Sequence, residues 1–369
     1  MSVLHINSNY EKSSLYSALS ESLLNQGCNI KTIYPVAKNY KRNNLENHVH
    51  LGKILNKYDR YLFKYRARKI LRYIEKNIDF NKYLLTHAHS LFSNGYISYL
   101  LKKKYNIPYI VAVRNTDLNR YFKKIFFLRS LGVDILKEAS TIVLLSQPYK
   151  ELLLENYIPF KYKDIIERKI KIIPNGIDEF WHKNVFEKKR KKPKSRVNIL
   201  SVGTINENKN IFTSIKAAEI LINQGKDVQL NVIGAVRDQD VLDRIKKSCF
   251  VNYQQPIAKE RLIEFYRGSD LFLMPSITET FGLVYAEAMS QGLPVLYSKG
   301  QGFDEQFPDG TVGYAVEKMD PVDIANKISL TLDNYHYISK NCIDLVERFD
   351  WERISKKYIN IYKDIEGFA

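Results

Sequence analysis

Two glutamates, Glu279 and Glu287, stand eight positions apart in the segment 271–297, which reads LFLMPSITETFGLVYAEAMSQGLPVLY. The segment reads as an apolar strand, a polar loop, a helix from near Gly282 to Gly292, and a second strand. Glu279 falls in the loop and Glu287 falls inside the helix. Because a carboxylate accepts two hydrogen bonds, Glu287 suits a ribose diol and Glu279 suits the hydroxyls of a sugar.

The start of this helix is suited to anions. The first N–H groups of a helix have no partner within it, and they lie at the positive end of its dipole. The backbone of Phe281, Gly282, Leu283 and Val284 is therefore predicted to bind a diphosphate. Gly282, without a side chain, lets a ligand approach the backbone closely.

The whole string P-S-x-x-E-x-F-G-x-x-x-x-E-A-M-x-x-G-x-P-V resembles the retaining glycosyltransferases of family 4. The resemblance implies the GT-B fold, an α/β architecture in which two Rossmann-like, doubly wound domains face each other across a cleft. A C-terminal helix crosses back to the first domain. The resemblance also implies that Glu279 contacts the donor sugar and that Glu287 contacts the ribose of the nucleotide.

Two further segments are similar to those of the family. The segment 202–209, VGTINENK, is similar to V-G-R-L-x-x-x-K, in which the arginine and the lysine neutralise the donor diphosphate. Gly203 and Lys209 match, but Thr204 occupies the arginine position and supplies a hydroxyl without charge. The segment 172–178, IIPNGID, is similar to the IPNGID that ends the first domain.

The first half departs more from the family. The loop after the first strand, 7–14, has no glycine; Asn9 is predicted to bind the acceptor, the alternative being a plain helix cap. The pair His87 and His89 resembles the family's H-x-H, without the cysteine partners of a zinc site. We expect His89 on the acceptor side and no metal.

Arg114 stands where the family tends to have a histidine near the reacting sugar. A guanidinium does not act as a base, so Arg114 is expected to contact a phosphate or an anionic acceptor. Asn115 and Asp117 are expected to bind the acceptor beside it. Alternatively, Asp117 caps a helix that starts at Leu118.

The elements that position these residues alternate between strands and helices, which favours parallel sheets. The predicted helices include 15–25 and 91–104. The predicted strands are 3–6, 30–34, 83–86, 109–113, 141–145, 170–173, 197–202, 228–233, 271–274, 294–297 and 314–316. We expect an acceptor domain at 1–182, an exposed basic linker at 183–196, a donor domain at 197–350 and a returning helix at 351–369.

Charge is distributed unevenly along the 369 residues. The net charge is +17, of which 1–196 contributes +22 and the remainder −5. The stretches 119–129 and 57–76 interleave aromatic and basic residues, either to lie on an anionic membrane or to send their rings into the core. A basic half also suits nucleic acid. We predict no nucleic-acid partner, because the phosphate-binding segment lies in the other half.

Composition narrows the class of protein. The chain has no run of eighteen apolar residues, its start lacks a signal-peptide pattern, and its three cysteines are far apart. We therefore expect a cytoplasmic protein, at most peripheral on the inner face of the membrane, without a disulfide framework.

The sequence predicts a retaining, metal-independent, cofactor-free hexosyltransferase. Its donor is a nucleotide diphosphate sugar, with UDP favoured, and its acceptor is a lipid-linked or other glycan in cell-surface polysaccharide synthesis. Glu279, Lys209 and Arg114 are the predicted catalytic residues. An epimerase on the same fold, a basic nucleic-acid-binding protein and a non-catalytic scaffold are the alternatives.

Overall fold

The structure of the protein is a computed structural model that describes residues 1–42, 45–188, 190–193 and 195–367. The chain forms two compact units. Unit 1 comprises Met1–Leu145, Tyr149–Asn175 and the chain from Trp351 onward, and unit 2 comprises Ser146–Pro148 and Gly176–Asp350.

Unit 1 is built on a parallel sheet of seven strands in the order β3-β2-β1-β4-β5-β6-β7. The strands are β1 Ser2–Ile6, β2 Asn29–Ala37, β3 Val49–Leu55, β4 Leu85–Ala88, β5 Tyr109–Ala112, β6 Thr141–Leu144 and β7 Ile170–Ile172. The helices are α1 Ser14–Asn25, α2 Phe63–Asn77, α3 Tyr96–Tyr105, α4 Arg129–Glu138, α5 Gln147–Asn156 and α6 Lys163–Glu167. The strand order reverses between β1 and β4, and open sheets of this kind bind ligands beside the carboxyl ends of such strands.

The C-terminal helix α14, Trp351–Gly367, belongs to unit 1. Ile354, Tyr358 and Tyr362 are buried against the sheet together with residues of β1 and α1. The hydroxyls of Ser22 and Ser355 lie 2.8 Å apart. The predicted return of this helix to the first domain is confirmed; Phe368 and Ala369, at the end of the predicted 351–369 segment, lie outside the described residues.

Unit 2 is built on a parallel sheet of six strands in the order β10-β9-β8-β11-β12-β13. The strands are β8 Arg196–Val202, β9 Asp227–Ile233, β10 Val251–Gln254, β11 Leu271–Met274, β12 Val295–Ser298 and β13 Gly313–Val316. The helices are α7 Glu179–Lys183, α8 Ile211–Asn223, α9 Gln239–Ile245, α10 Lys259–Gly268, α11 Leu283–Ser290, α12 Pro321–Asp333 and α13 Tyr335–Leu345. Its strand order reverses between β8 and β11.

Each predicted strand overlaps an observed one, and two strands were missed. Both β3 and β10 lie at an edge of their sheets, where one side makes no ladder and half-exposed polar residues are tolerated. Neither therefore shows the continuous apolar run of the central strands. The predicted helix 91–104 is divided into a π-helical turn, Leu91–Gly95, and α3.

The prediction that the basic stretch 183–196 is wholly exposed is wrong for Arg190, which is 8% exposed. Its guanidinium donates to the carbonyl of Gln291 at 2.8 Å and to those of Arg267 and Ser269. These carbonyls lie at the C-terminal ends of α10 and α11, where helix dipoles favour a cation. Lys189 and Lys194 of this stretch lie outside the described residues.

In the part of the chain that is described, no helix has both the length and the apolar composition needed to cross a bilayer.

Candidate functional site

Helix α11 begins at a glycine that the local geometry requires. Gly282 has a φ of +77°, and a Cβ there would lie 2.3 Å from the ring of Tyr285. The hydroxyl of Tyr285 donates to the carbonyl of Met274 at 2.6 Å and ties the helix to the end of β11. Gly282, at the N-cap position, has no side chain to cap the helix start. The first N–H groups of the helix, near Leu283 and Val284, are therefore available to an anion.

Lys209 and Glu279 form a mostly buried ion pair beside this helix. The Nζ of Lys209 lies 2.6 Å from Oε2 of Glu279. A Cβ on Gly203 would lie 3.1 Å from Cε of Lys209, so the lysine passes close over the backbone that precedes Thr204. The resemblance assigned these two side chains to one site from separate segments, and the fold brings them into direct contact.

The two loops that carry this pair are joined by asparagines. The side chain of Asn208 accepts from N–H of Thr278 at 3.1 Å and donates to its carbonyl at 2.9 Å. The amide of Asn210 donates to the carbonyl of Pro275 at 3.0 Å. Paired bonds of this kind fix the distance between the loops, so Lys209 and Glu279 meet without large adjustments of their side chains.

A third loop, after β12, supports Glu279. The backbone N–H of Glu279 donates to Oε1 of Gln301 at 2.9 Å, and the N–H of Gly302 donates to the backbone carbonyl of Glu279 at 3.2 Å. A Cβ on Gly302 would lie 1.9 Å from the carbonyl oxygen of Thr280, so this approach requires glycine. The sequence analysis missed Gln301 and Gly302; the signal was a glycine in a loop directly after a strand.

Glu287 lies in α11 and faces α10. Its Oε2 accepts from the hydroxyl of Tyr266 at 3.2 Å. Burial, assisted by the nearby charge of Asp178, raises the pKa of Glu287 to about 7, while Tyr266 and Lys259 act in the opposite direction. Tyr266, which the sequence analysis did not identify, fixes the orientation of this carboxyl.

Phe281 contributes to the packing of unit 2. Its ring is buried, with its centroid 5.6 Å from that of Phe349 and 6.1 Å from that of Phe303. Its ring therefore anchors the loop before α11, and its backbone remains the part that can face a ligand.

In unit 1, polar side chains gather where β1 and β4 end. The carbonyl oxygen of the Asn94 side chain accepts from N–H of Ser8 at 3.1 Å and from its hydroxyl at 2.8 Å. The Asn7 side chain accepts from N–H of Asn9 at 2.9 Å. The amide nitrogens of Asn7 and Asn94 are buried and make no hydrogen bond within the described residues. Orphaned buried donors are rare and call for a partner such as water or a ligand hydroxyl.

Asp117 is buried and accepts three backbone hydrogen bonds. They come from Leu91 at 3.0 Å, Phe92 at 3.2 Å and Arg114 at 2.9 Å. It therefore caps the π-helical turn that begins at Leu91. The alternative that it caps a helix starting at Leu118 is wrong; Asp117 instead begins a second π-helical turn, Asp117–Phe122.

Arg114 and Asn115 lie beside it at the end of β5. The Nε of Arg114 donates to the carbonyl of His89 at 3.3 Å. The amide of Asn115 donates to the hydroxyl of Tyr149 at 3.1 Å, and its oxygen accepts from Asn119 at 2.7 Å. Arg114 belongs to unit 1 and the pair of Lys209 and Glu279 to unit 2, so the predicted catalytic residues are divided between the units.

One group of potential metal ligands comes together among the described residues: His5, His87 and His89, with ligand atoms within 4.8 Å of one another. All three are buried, and burial lowers the pKa of each, with Arg114 adding to the effect on His87 and His89. Nε2 of His89 lies 3.0 Å from Nδ1 of His5, and Nδ1 of His87 lies 2.7 Å from the hydroxyl of Tyr362. The three rings are neutral and are held by these hydrogen bonds. A metal ion would have to displace the bonds, and the group of three histidines contains no carboxylate to balance its charge.

Comparison with known proteins covers both units. The model of the family described as Glycosyltransferase Family 4 matches residues 16–179, and that of Glycosyl transferases group 1 matches residues 182–348. An uncharacterized glycosyltransferase of Methanocaldococcus jannaschii is 24% identical over 306 residues, 77% of this chain and 76% of that protein.

Two solved structures share the fold over almost the whole chain. Sucrose-phosphate synthase from Thermosynechococcus elongatus has a TM-score of 0.75 at 17% identity and covers 100% of both chains. Anabaena HepE in complex with UDP has a TM-score of 0.73 at 15% identity and covers 99% of this chain and 100% of that chain. The chain has two Rossmann-like units, and a glycosyltransferase family model matches each half of the chain. This chain is therefore a glycosyltransferase of the GT-B type.

Proposed function

We propose that the protein transfers a hexose from a nucleotide diphosphate sugar, with UDP favoured, to an acceptor hydroxyl with retention at the anomeric carbon. The observation that carries this proposal is the ion pair of Lys209 and Glu279 beside the uncapped start of α11. A cation, a carboxylate and free N–H groups are what a sugar diphosphate needs from its binding site. HepE, of similar fold, is described in complex with UDP, which supports the choice of base.

In this proposal the diphosphate binds to Lys209 and to the N–H groups of Gly282, Leu283 and Val284. Lys209 already neutralises Glu279, so the incoming diphosphate takes over the lysine and releases the carboxylate. Glu279 then accepts from hydroxyls of the donor sugar. As the bond to the sugar breaks, negative charge grows on the leaving diphosphate, where a fixed cation and helix N–H groups stabilise it. Thr204 adds one hydroxyl to this site, and Glu287 binds the ribose diol.

The proposed reaction needs no metal, since Lys209 and the helix start supply positive charge to the leaving group. Retention follows, in this proposal, from attack on the face that the diphosphate leaves, with its oxygen accepting the acceptor's proton. Glu279, Lys209 and Arg114 are the proposed catalytic residues, Arg114 acting through its charge.

The proposed acceptor is a lipid-linked or other glycan of a cell-surface polysaccharide, bound by unit 1 at an anionic membrane surface. The buried donors of Asn7 and Asn94 support a ligand rich in hydroxyls. Asn9, His89 and Asn115 belong to the same proposed site. Asp117 contributes by holding the backbone of Arg114.

A thermal-shift panel of UDP, GDP, ADP and dTDP sugars, each with and without EDTA, tests the donor half. A ligand at 100 times its Kd stabilises the folded state by about 2.7 kcal/mol, so one base is expected to raise the Tm clearly, with EDTA making no difference. Glu287→Ala should weaken this response, and Lys340→Ala, a change at an exposed lysine of α13, should keep it. A response to none of the sugars, or one abolished by EDTA, would contradict the proposal.

The stereochemistry is read from the product. With the donor that the panel selects and a simple glycoside acceptor, NMR coupling at the new anomeric centre should match the configuration of the donor. An inverted product would contradict retention, and an epimer formed from donor alone would favour the epimerase alternative.

A further inference from the structure

Two segments of unit 1 expose large apolar side chains to solvent. Around the start of α2, the exposed fractions are 70% for Tyr58, 68% for Tyr61 and 56% for Leu62. Between the turn that begins at Asp117 and α4, Phe126 is 73% exposed and Phe127 is 71% exposed. Single exposed apolar side chains are common, but contiguous ones on a protein surface mark interaction sites. We name residues 57–72 and 120–130 the aromatic-basic face.

The two segments of this face are joined at their base by ring contacts. The ring of Phe63, next to Leu62, lies 6.2 Å from that of Tyr121. Tyr121 in turn stacks on the buried Phe92 at 4.6 Å. Because these inner rings hold 63 and 121 together, the exposed side chains beside them belong to one region of the surface. Part of the aromatic pattern thus enters the core and part does not.

Charge on this face is almost entirely positive. Residues 57–72 contain seven Lys and Arg, and residues 120–130 contain four. The one acidic residue is Asp59, which is buried and lies 2.7 Å from Nζ of Lys69. The cations Lys57, Lys64, Arg68, Arg72, Arg120, Lys123 and Lys124 are exposed.

Helix α2 has the arrangement of a helix that lies along an interface. Its buried side chains, Ala67, Ile70 and Ile74, pack into the core, and its outer side carries Lys64, Arg68 and Arg72. The apolar side chains that remain exposed lie at its first turn. Exposed rings at the first turn of such a helix can enter the headgroup region of a bilayer, while the cations on its outer side contact anionic lipids.

The geometry favours a bilayer over nucleic acid as the occupant. The rings of Phe126 and Phe127 are 82° apart, an edge-to-face arrangement. Successive bases stack on rings that lie roughly parallel to them, so perpendicular neighbours do not form a stacking platform. Leu62 likewise offers an aliphatic chain that acyl chains accept and that bases do not need.

We propose that the aromatic-basic face docks unit 1 on an anionic phospholipid bilayer, with Phe126 and Phe127 inserted and the surrounding Lys and Arg at the headgroups. The docking does not depend on the donor chemistry. Failure of vesicle binding therefore leaves the donor proposal standing, and failure of donor binding leaves this one standing.

Sedimentation of the full chain with vesicles tests the proposal. Phosphatidylcholine vesicles containing about 30% phosphatidylglycerol are expected to bind the protein at least about tenfold more tightly than phosphatidylcholine alone, since the attraction is to anionic headgroups. Raising the salt from about 0.1 M to about 0.5 M should weaken binding, because the Debye length shortens.

Variants separate the two parts of the contact. Phe126→Ser with Phe127→Ser should lower vesicle affinity about tenfold or more, because both rings lose their apolar contact. Lys123→Gln with Lys124→Gln should reduce the salt dependence. Tyr337→Ser is the matched control, since it removes an exposed ring of α13 in unit 2 and should change nothing. Phe127→Trp should shift its emission to the blue with anionic vesicles only.

Four outcomes would overturn the proposal. Equal binding to neutral and anionic vesicles, or unchanged binding by the double phenylalanine variant, would exclude the described contact. Binding to single-stranded DNA that the variants abolish, without binding to vesicles, would assign the face to nucleic acid. A dimer that the phenylalanine variant dissociates would assign it to a second copy of the chain.

Discussion

The two units of this glycosyltransferase prepare their polar groups in opposite ways. In unit 2, the groups proposed to meet the donor are already paired: Lys209 with Glu279, and Glu287 with Tyr266. In unit 1, Asn7 and Asn94 each keep a buried amide that makes no hydrogen bond within the described residues. A paired site exchanges one partner for another when a ligand arrives, whereas an unpaired site gains a bond it lacked.

The two polar sites also differ in how clearly they show in the sequence. The donor side of unit 2 relies on backbone: the start of α11, the turn at Gly282 and the close approach of Gly302 to Thr280. Backbone geometry of this kind constrains residue types at fixed spacing and leaves a recognisable string. The polar group of unit 1 is assembled from side chains of the loop after β1 and of the turn at Leu91, which are far apart in the sequence, so no short motif contains it.

Removal of the paired carboxylate of unit 2 is expected to have the largest effect on transfer. Glu279→Ala is expected to lower kcat by about 10³-fold, because the donor sugar loses a contact and Lys209 loses its position. Nucleotide affinity should fall far less, since the diphosphate keeps the lysine and α11. Steady-state kinetics and calorimetry with the nucleotide diphosphate separate the two effects.

The double variant Glu279→Ala with Lys209→Ala sharpens this test. If the two residues act as one unit, the double variant loses little more than the worse single variant, as residues in contact are non-additive. Fully additive losses would mean that the ion pair has no part in transfer.

Gly302→Ala should have the next largest effect. A methyl group would lie 1.9 Å from the carbonyl oxygen of Thr280 and would displace the loop that carries Glu279. Overpacking of this kind costs about 2 kcal/mol of folding free energy, and we expect kcat to fall with it. Gly268→Ala, where a Cβ meets nothing within 4 Å, is the matched control. Wild-type kcat and Tm in Gly302→Ala would show that the approach is not needed.

The sequence predicted the central strands of both sheets because they are buried on both faces and read as apolar runs. It missed β3 and β10, whose edge positions relax that pattern. The string around α11 led to the prediction of Glu279 and Glu287, and the segment 202–209 led to that of Lys209; their roles stay predictions. The sequence analysis did not find Tyr266, Gln301 or Asn94, since each reaches its partner across the fold rather than along the chain.

Runs of charged residues in the sequence predicted the exposure of their side chains only in part. The basic stretch at 183–196 was expected to be solvated, yet Arg190 is buried among carbonyls at two helix ends. A run of cations does not show which one finds acceptors in the folded state. The aromatic and basic residues of 57–76 and 119–129 were open to two interpretations, a membrane surface or rings packed in the core. In the structure, Phe63 and Tyr121 pack inward, whereas Phe126 and Phe127 are exposed.

The unpaired amides of unit 1 give a smaller predicted effect. Asn7→Asp keeps the oxygen that accepts from Asn9 and replaces the orphaned donor by an acceptor. We expect the acceptor KM to rise about tenfold, the cost of one lost hydrogen bond to a ligand. The Tm increase produced by the donor nucleotide should stay unchanged.

Asn77→Asp, an exposed change at the end of α2, is the control for the added charge. An unchanged acceptor KM in Asn7→Asp would assign the orphaned amide to an ordered water.

The smallest expected effect is a pH dependence at Glu287. Burial raises its pKa to about 7, from 4.5, so it is mostly protonated below pH 7 and ionised above. Before ligand binding, the raised pKa stabilises the fold below the unfolded value and loses that contribution as the pH rises through 7. A ribose diol donates two hydrogen bonds to the ionised form, so donor affinity should move in the opposite direction.

From pH 6 to pH 8, the Kd of the nucleotide should therefore fall by about three- to tenfold, the gain of one hydrogen bond to a charged group. Over the same range, the Tm without ligand should fall relative to that of Glu287→Gln, which cannot ionise. The comparison with this variant removes the contribution of the buried histidines, because it is common to both proteins. Parallel pH profiles of Kd in the two proteins would place the ribose away from Glu287, and the paired state of this carboxyl would then serve only the packing of α10 on α11.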